Sequence, residues 1–276
     1  MTVQLASVTP HPLVSARSIP AAELLNVSKS FFSRGNTSEV LRDLSLNVAA
    51  GEFLAIVGPS GSGKSTVLNL LAGLDQSYSG TVRCNGKPVV GVNTEIGYLT
   101  QHDSLLPWRT VEENIAVPLE IRAVPKRSRA DQVRDMIASV GLRGFEHHYP
   151  RQLSGGMRKR VMLARTLIYG PSTLLMDEPF GPLDAQLKLV LQEELLRLWS
   201  ALRKTVVFVT HDIVEAITLA DRVVVLSSRP TRVKLEEVIT IGRPRSVHDA
   251  RFAPSFEDHY HRLWGAIEID SRRQIQ

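Results

Sequence analysis

Nine consecutive residues constrain this chain more than any others: Gly58-Pro59-Ser60-Gly61-Ser62-Gly63-Lys64-Ser65-Thr66. They meet every position of the phosphate-cradling spacing G-x-x-x-x-G-K-[ST]. The apolar run Glu52-Phe53-Leu54-Ala55-Ile56-Val57 before them predicts a buried strand, and Val67-Leu68-Asn69-Leu70-Leu71-Ala72-Gly73 after them predicts a helix ending near a glycine. Glycines let backbone N–H groups close around phosphate oxygens without a Cβ in the way. The helix start adds its positive dipole end, and Lys64 adds a full charge directed at the β- and γ-phosphates. Ser65 offers a hydroxyl to Mg²⁺. A glycine-rich turn before an ordinary helix is the competing reading, and it leaves the lysine and hydroxyl unexplained. The stretch points to a bound nucleoside triphosphate.

The rest of the chain predicts an α/β fold. Leu44, Leu46 and Val48 alternate with polar residues, Phe31-Phe32 precede the turn Ser33-Arg34-Gly35-Asn36, and Gly80 to Gly86 is a short strand closed by Asn-Gly. These predict an antiparallel β layer. Helical periods dominate from about Pro107 to Leu153, with Val133, Met136, Ile137 and Val140 on one face and Gly141 as a stop; Pro118 should kink or interrupt an earlier helix. A further helix is expected over Met157–Tyr169, with Val161, Ala164 and Ile168 buried and Arg158 and Arg165 facing outward. Strands at Thr173–Asp177, Thr205–Val209 and Arg222–Leu226 alternate with helices at Ala185–Leu202 and Asp212–Ala220, which implies right-handed crossovers and a parallel core sheet. The expected organisation is a flexible leader over 1–21, an ATPase domain over 22–242 with a helical subdomain inserted at about 107–170, and a helical tail over 243–276.

Composition excludes several classes. With 276 residues and 43% hydrophobic content the chain can bury a sizeable core. It holds no apolar run of 18 residues, and Met1–Pro20 lacks the pattern of a secretory signal. A lone Cys84 forms no intrachain disulfide, in keeping with a reducing cytosol. The net charge of +5 comes from scattered residues and short clusters such as Lys126-Arg127-Ser128-Arg129, without a basic tail or aromatic interleaving. Solvated helix faces account for such clusters, and no nucleic acid is expected as a partner.

Several strand ends carry polar groups. Asp177-Glu178 follows an apolar strand; alone it reads as a solvated turn, but beside a phosphate loop Asp177 can hold Mg²⁺ and Glu178 can polarise a water for in-line attack. Gln101 and His211 each end a strand, and parallel sheets gather such ends along one edge where ligands bind. The amide of Gln101 can meet Mg²⁺ or the attacking water. Leu153-Ser154-Gly155-Gly156-Met157 places a good N-cap and two glycines at a helix start, a second anion site far along the chain that another subunit could bring to the first subunit's nucleotide.

In this order, the phosphate loop, Gln101, Leu153-Ser154-Gly155-Gly156, Asp177-Glu178, Leu183-Asp184 and His211 resemble the ATP-binding subunits of ABC transporters over roughly Ala22 to Leu226. The resemblance implies a P-loop NTPase fold with a mixed or parallel core sheet, an antiparallel β layer and a helical insert. It implies a head-to-tail homodimer in which each ATP meets one subunit's phosphate loop and the other's Ser154-Gly155-Gly156. Phe31 would stack on adenine, with Phe32 as its fallback; Asp184 would connect the two sites, and His211 would contact the γ-phosphate. Pro107 to Asn114, Leu153 to Arg160, Asp177 to Asp184 and Ser227-Ser228-Arg229-Pro230 resemble the nitrate/sulfonate/taurine importers more narrowly. Departures are Met157 for a common Gln, Pro182 for Ala, Thr231 for Gly, and Phe31 for the usual Tyr, which leaves stacking intact. Permease subunits would then be direct partners and a solute-binding protein an indirect one, with the chain peripheral on the cytoplasmic side of the inner membrane. The rival readings are a soluble ABC-type ATPase of DNA repair or translation, a regulatory ATPase module, and an exporter or lipid-transport ATPase. The first usually has two ATPase units or a long coiled coil before the Ser-Gly-Gly motif, and neither is present.

Overall fold

The structure, a computed structural model, describes residues 19–33, 35–181 and 183–275. The leader expected over 1–21 lies almost wholly outside the described residues, as do Arg34 of the predicted turn and Pro182.

β1 (Ala22–Ser33), β2 (Asn36–Val48), β4 (Ser79–Cys84) and β5 (Lys87–Pro88) form the predicted antiparallel layer, in the order β2-β1-β4-β5. The second sheet runs β10-β9-β3-β8-β7-β6. Its parallel members are β3 (Phe53–Val57), β6 (Ile96–Leu99), β7 (Thr173–Asp177), β8 (Thr205–Val209) and β9 (Arg222–Leu226). The antiparallel edge strand β10 (Val233–Val238) is absent from the sequence-based reading. Its residues alternate between half-buried and exposed, and the charges of Lys234, Glu236 and Glu237 mask the apolar signal.

β3 shows why two layers of core form. Its five residues are all buried, but alternate side chains leave the strand on opposite faces. Phe53, Ala55 and Val57 join one core with the helices α4 (Gly155–Leu167), α5 (Ala185–Leu202) and α6 (Ile213–Leu219). Leu54 and Ile56 join the other, with α1 (Lys64–Leu71) and the antiparallel layer. Phe53 anchors the first core against Trp199 and Phe208, with ring centroids 5.8 Å from each.

The helical insert holds α2 (Val111–Ile121) and α3 (Lys126–Ser139). Thr110 and Glu113 form a capping box at the start of α2. Pro118 neither ends nor interrupts α2, contrary to expectation: Arg122 N–H still donates to Pro118 O at 3.1 Å, and the buried Val111, Ile115 and Leu119 hold the helix on both sides of the missing donor. Gly141 stops α3 as expected, at φ +68° in a Schellman arrangement, with Gly141 N–H on Ala138 O and Leu142 N–H on Ile137 O. The expectation that Arg158 and Arg165 face outward is corrected. Arg158 donates to Leu153 O and pairs with Asp103, while Arg165 folds onto Ser104, so both guanidinium groups serve loops.

The C-terminal region packs on the core. After the short α7 (Val247–Ala250), α8 (Phe256–Ile275) buries Leu263, and its buried His259 bonds Glu237 of β10 and receives Thr240 N–H. Arg243 stacks over Trp199, 4.2 Å from its centroid.

Candidate active site

Parallel pairing brings the predicted polar residues to one edge of the sheet. Ile56 and Asp177 both lie opposite Val209, and Leu99 lies opposite Met176, so Gly58, Asp177-Glu178, His211 and Gln101 all emerge within two residues of these aligned strand ends.

The phosphate loop leaves β3 at Gly58 and enters α1 through Gly63, whose φ is +89°. A Cβ there would sit 2.9 Å from Val40 Cγ1 and 3.1 Å from Leu41 Cδ2, so β2 packs directly on the loop and only glycine fits. Lys64 Nζ donates to Gly58 O and Pro59 O, both at 2.9 Å. An ammonium has three donors, so one stays free for an anion cradled by Ser60 to Thr66. Burial pushes the Lys64 ammonium below its ordinary range, while Glu178 and then Asp177 act in the opposite direction.

Two further side chains brace the loop from outside. Arg229 Nε donates to Gly61 O at 2.6 Å, and the buried Thr231 hydroxyl donates to Ser62 O. Sequence reasoning gave neither a role, because nothing in periodicity brings residues some 170 positions apart in the chain together. The available signals were Arg229 within the Ser227–Pro230 resemblance and Thr231 as a departure from the usual glycine.

Opposite the loop, burial raises the Asp177 carboxyl above its usual range, and the Ser65 hydroxyl that hydrogen-bonds it works against the rise. Ser65 and Asp177 are therefore neighbours, and both are hard oxygen donors. Gln101 donates its Nε2 to Glu178 Oε2 at 3.3 Å, which leaves its amide oxygen available. Among the described residues no group of three His, Cys, Asp or Glu is placed to hold a metal ion. This donor set suits an oxygen-seeking divalent cation that takes its remaining ligands from phosphate and water rather than a dedicated protein cage.

Glu178 sits at φ +42°, a left-handed conformation that a glutamate adopts at a cost, and its N–H is tied to Val209 O at 3.0 Å. Its Oε2 meets both Gln101 and His211 Nδ1, the latter at 3.2 Å. The other oxygen is free of protein partners among the described residues. A carboxylate steered by an amide and an imidazole, beside a lysine and a cation site, can take a proton from a water aimed at a phosphoryl group.

The remaining predicted residues lie elsewhere. Ser154 caps α4, accepting from Met157 N–H at 3.3 Å. The contacts of Gly155 and Gly156 run to Leu183 and Leu187 at the start of α5, and a Cβ on Gly156 would lie 2.5 Å from Leu187 Cδ1. The clash is with the tip of a half-buried leucine side chain, which can move, so packing alone does not require glycine there. Asp184 caps α5, accepting from Leu187 N–H at 2.9 Å. Phe31 is partly exposed near the end of β1, with Lys29 Nζ 4.6 Å from its ring centroid, on the same side of the strand as Lys29; its neighbour Lys29 pairs with Leu41, which rests against Gly63. Phe32, the next residue along the strand, is 76% exposed.

The family model described as ABC transporter matches residues 41–181, which spans the phosphate loop, the insert and Asp177-Glu178. The chain belongs to the ABC transporter family. Relatives of this ABC ATPase include an uncharacterised ABC transporter ATP-binding protein of Methanocaldococcus jannaschii, 48% identical over 220 residues, 80% of this chain and 82% of that one. An aliphatic sulfonates import ATP-binding protein of Bacillus licheniformis is 41% identical over 84% of this chain and 89% of its own. A nitrate import ATP-binding protein of Synechocystis is 42% identical over 80% and 83%. Among solved structures, a dimeric bacterial ABC transporter cassette is 32% identical with a TM-score of 0.71, covering 80% of this chain and all of its own. A post-hydrolysis dimer bound to ADP and Pi matches with a TM-score of 0.70. The α/β cassette fold and the ATPase class expected from the motifs are thus borne out.

Proposed function

We propose that this ABC ATPase energises import of a small anionic solute of the nitrate, aliphatic sulfonate or taurine class, working as a head-to-tail homodimer on two permease subunits. The observation that carries the hydrolytic part is the convergence of Gln101 and His211 on one oxygen of Glu178, across from Lys64, Ser65 and Asp177. The names of the nitrate and sulfonate relatives support the solute class.

In this reading Phe31 stacks on adenine while Gly58–Thr66 wraps the phosphates. Ser65 and Asp177, with the Gln101 amide, hold Mg²⁺, which neutralises phosphate charge when bound. Glu178 orients and deprotonates the attacking water, and His211 donates to the γ-phosphate. Ser154, Gly155 and Gly156 serve the nucleotide of a second copy, with Asp184 at the seam. The inserted helical subdomain would dock the permease: a cleft of about 460 Å³ between α2 and α3, lined by Glu113, Glu120, Lys126, Arg129, Val133 and Ile137, offers charged walls and an apolar floor to a helix. No helix among the described residues is long and apolar enough to cross a membrane. In this reading the permease supplies the span and the ATPase sits peripherally on its cytoplasmic side, reached by a solute-binding protein only indirectly.

The test is Glu178→Gln. It should retain ATP binding, lose on the order of 10²- to 10⁴-fold in kcat, and trap an ATP-bound dimer on gel filtration. Ordinary turnover by this variant removes Glu178 from its role. Copurification with a multi-span membrane protein, and loss of growth on a sulfonate or nitrate as sole sulfur or nitrogen source when the gene is deleted, test the import reading.

A further inference from the structure

The segment 101–104, which carries Gln101, is poorly held by its own backbone. All four residues are exposed, they follow the last ladder pair of β6, and no backbone–backbone hydrogen bond to them occurs among the described residues. Their anchorage comes from α4. Lys159 Nζ donates to Gln101 O at 2.9 Å, Arg158 Nε pairs with Asp103 at 2.9 Å, and Arg165 donates to Ser104 O at 3.0 Å and to Ser104 Oγ at 2.6 Å.

Lys159 is the unusual member. It is 8% exposed, and the Gln101 carbonyl is its only hydrogen-bond partner among the described residues. Burial pushes its ammonium below the ordinary range; Asp103 opposes this and Arg158 adds to it. A buried cation answered by one neutral carbonyl is a weak source of stability. It is, however, an effective way to fix one peptide. The carbonyl and the side chain of Gln101 share a Cα, so fixing the carbonyl restricts where the amide can point, and that amide reaches Glu178.

We propose that Lys159 is a positioning residue for hydrolysis: by gripping the Gln101 carbonyl it sets the Gln101 amide against Glu178 at the γ-phosphate end of the site. The inference rests on the roles proposed above for Gln101 and Glu178. It also gives α4 two duties, since the same helix presents Ser154-Gly155-Gly156 at its N-terminus.

The experiment is steady-state ATP hydrolysis by the full chain, with ATP titrated so that kcat and KM separate, for wild type, K159M, Q101A and the double variant. K159M should lose on the order of 10- to 100-fold in kcat with KM unchanged, because Lys159 touches neither Gly58–Thr66 nor Phe31. The double variant should be no slower than Q101A, since Lys159 has nothing left to position. K159Q is the second variant, for the case that K159M does not fold. Its amide is one bond shorter, so it should lose less in kcat, and again nothing further in the Q101A background. Wild-type kcat in K159M or K159Q while Q101A is impaired overturns the inference, and so does a double variant whose loss is the product of the two single losses. Wild-type turnover by Q101A removes the role of Gln101 itself, and the inference with it.

Discussion

Glu178 and Gly63 both adopt backbone conformations that side chains normally avoid, each for a different reason. Glu178 bears its φ of +42° because the sheet edge, through Val209 O, holds its amide while Gln101 and His211 hold its carboxylate. Gly63 needs φ +89° to turn the loop into α1, with β2 packed against it. Gly63→Ala should therefore cost about 1–2 kcal/mol in denaturant unfolding from backbone strain, with the Val40 contact adding to it. Calorimetric titration should show weaker ATP binding in the same variant; affinity equal to wild type would mean the loop can form without this conformation. The roles of Lys64 and Ser65 were legible in the sequence because their spacing is local. Those of Arg229, Thr231 and Lys159 were not, because each acts on a carbonyl brought to it by the fold.

Among the elements, the start of α4 was readable from its capping residue. Ser154 was legible as a cap; Asp184 and Asp212 cap α5 and α6 as well, although Asp184 entered only through the family resemblance and Asp212 was placed inside its helix. The structure adds that Asp184 has a mechanical duty whatever its place in a dimer. Asp184→Ala should lower stability by about 0.5–2 kcal/mol through loss of the α5 cap, whereas Asp184→Asn should keep it; urea midpoints of the two variants make the comparison, and equal midpoints would dismiss the cap. α5 then links that cap to the His211 turn. Lys188, one turn on, bonds Asp212 and the buried Glu215, and Glu215 also meets Gln192 and Thr210. Burial raises the Asp212 carboxyl, but the hydrogen bond and charge of Lys188 more than offset this and leave it below its ordinary range. Pro118 shows the limit of element-level reading: a residue that breaks isolated helices is tolerated where packing on both sides supplies the lost stability.

At the scale of the whole molecule, the site lies at the edge of a sheet buried on both faces, so its charges are partly desolvated and oppose folding. Asp177 illustrates the sign. Its carboxyl is raised in the folded chain, so the protonated form is favoured there and that stability is lost as pH rises through the folded value. Asp177→Asn stays neutral throughout. Without nucleotide or divalent cation, it should melt higher than wild type at neutral pH, by about 2–4 °C for each kcal/mol relieved in a chain of this size. The gap should close as pH falls below the unfolded value of about 3.9. Equal melting at both pH values would show that burial of this carboxylate costs nothing. The same variant should lose cation-dependent hydrolysis, a trade of stability for function.

The sequence by itself determined the α/β class, the antiparallel layer, the helical insert and the family, because phosphate-loop spacing, strand alternation and cap residues are encoded within a few neighbouring positions. Tertiary structure decided the rest. β10 took its place through pairing with β9 despite its charges, α2 ran through Pro118, and the basic face of α4 turned onto loops rather than solvent. It also decided that Gln101 and His211 share one oxygen of Glu178, since three strand ends separated by tens of residues meet only when a parallel sheet sets them in register.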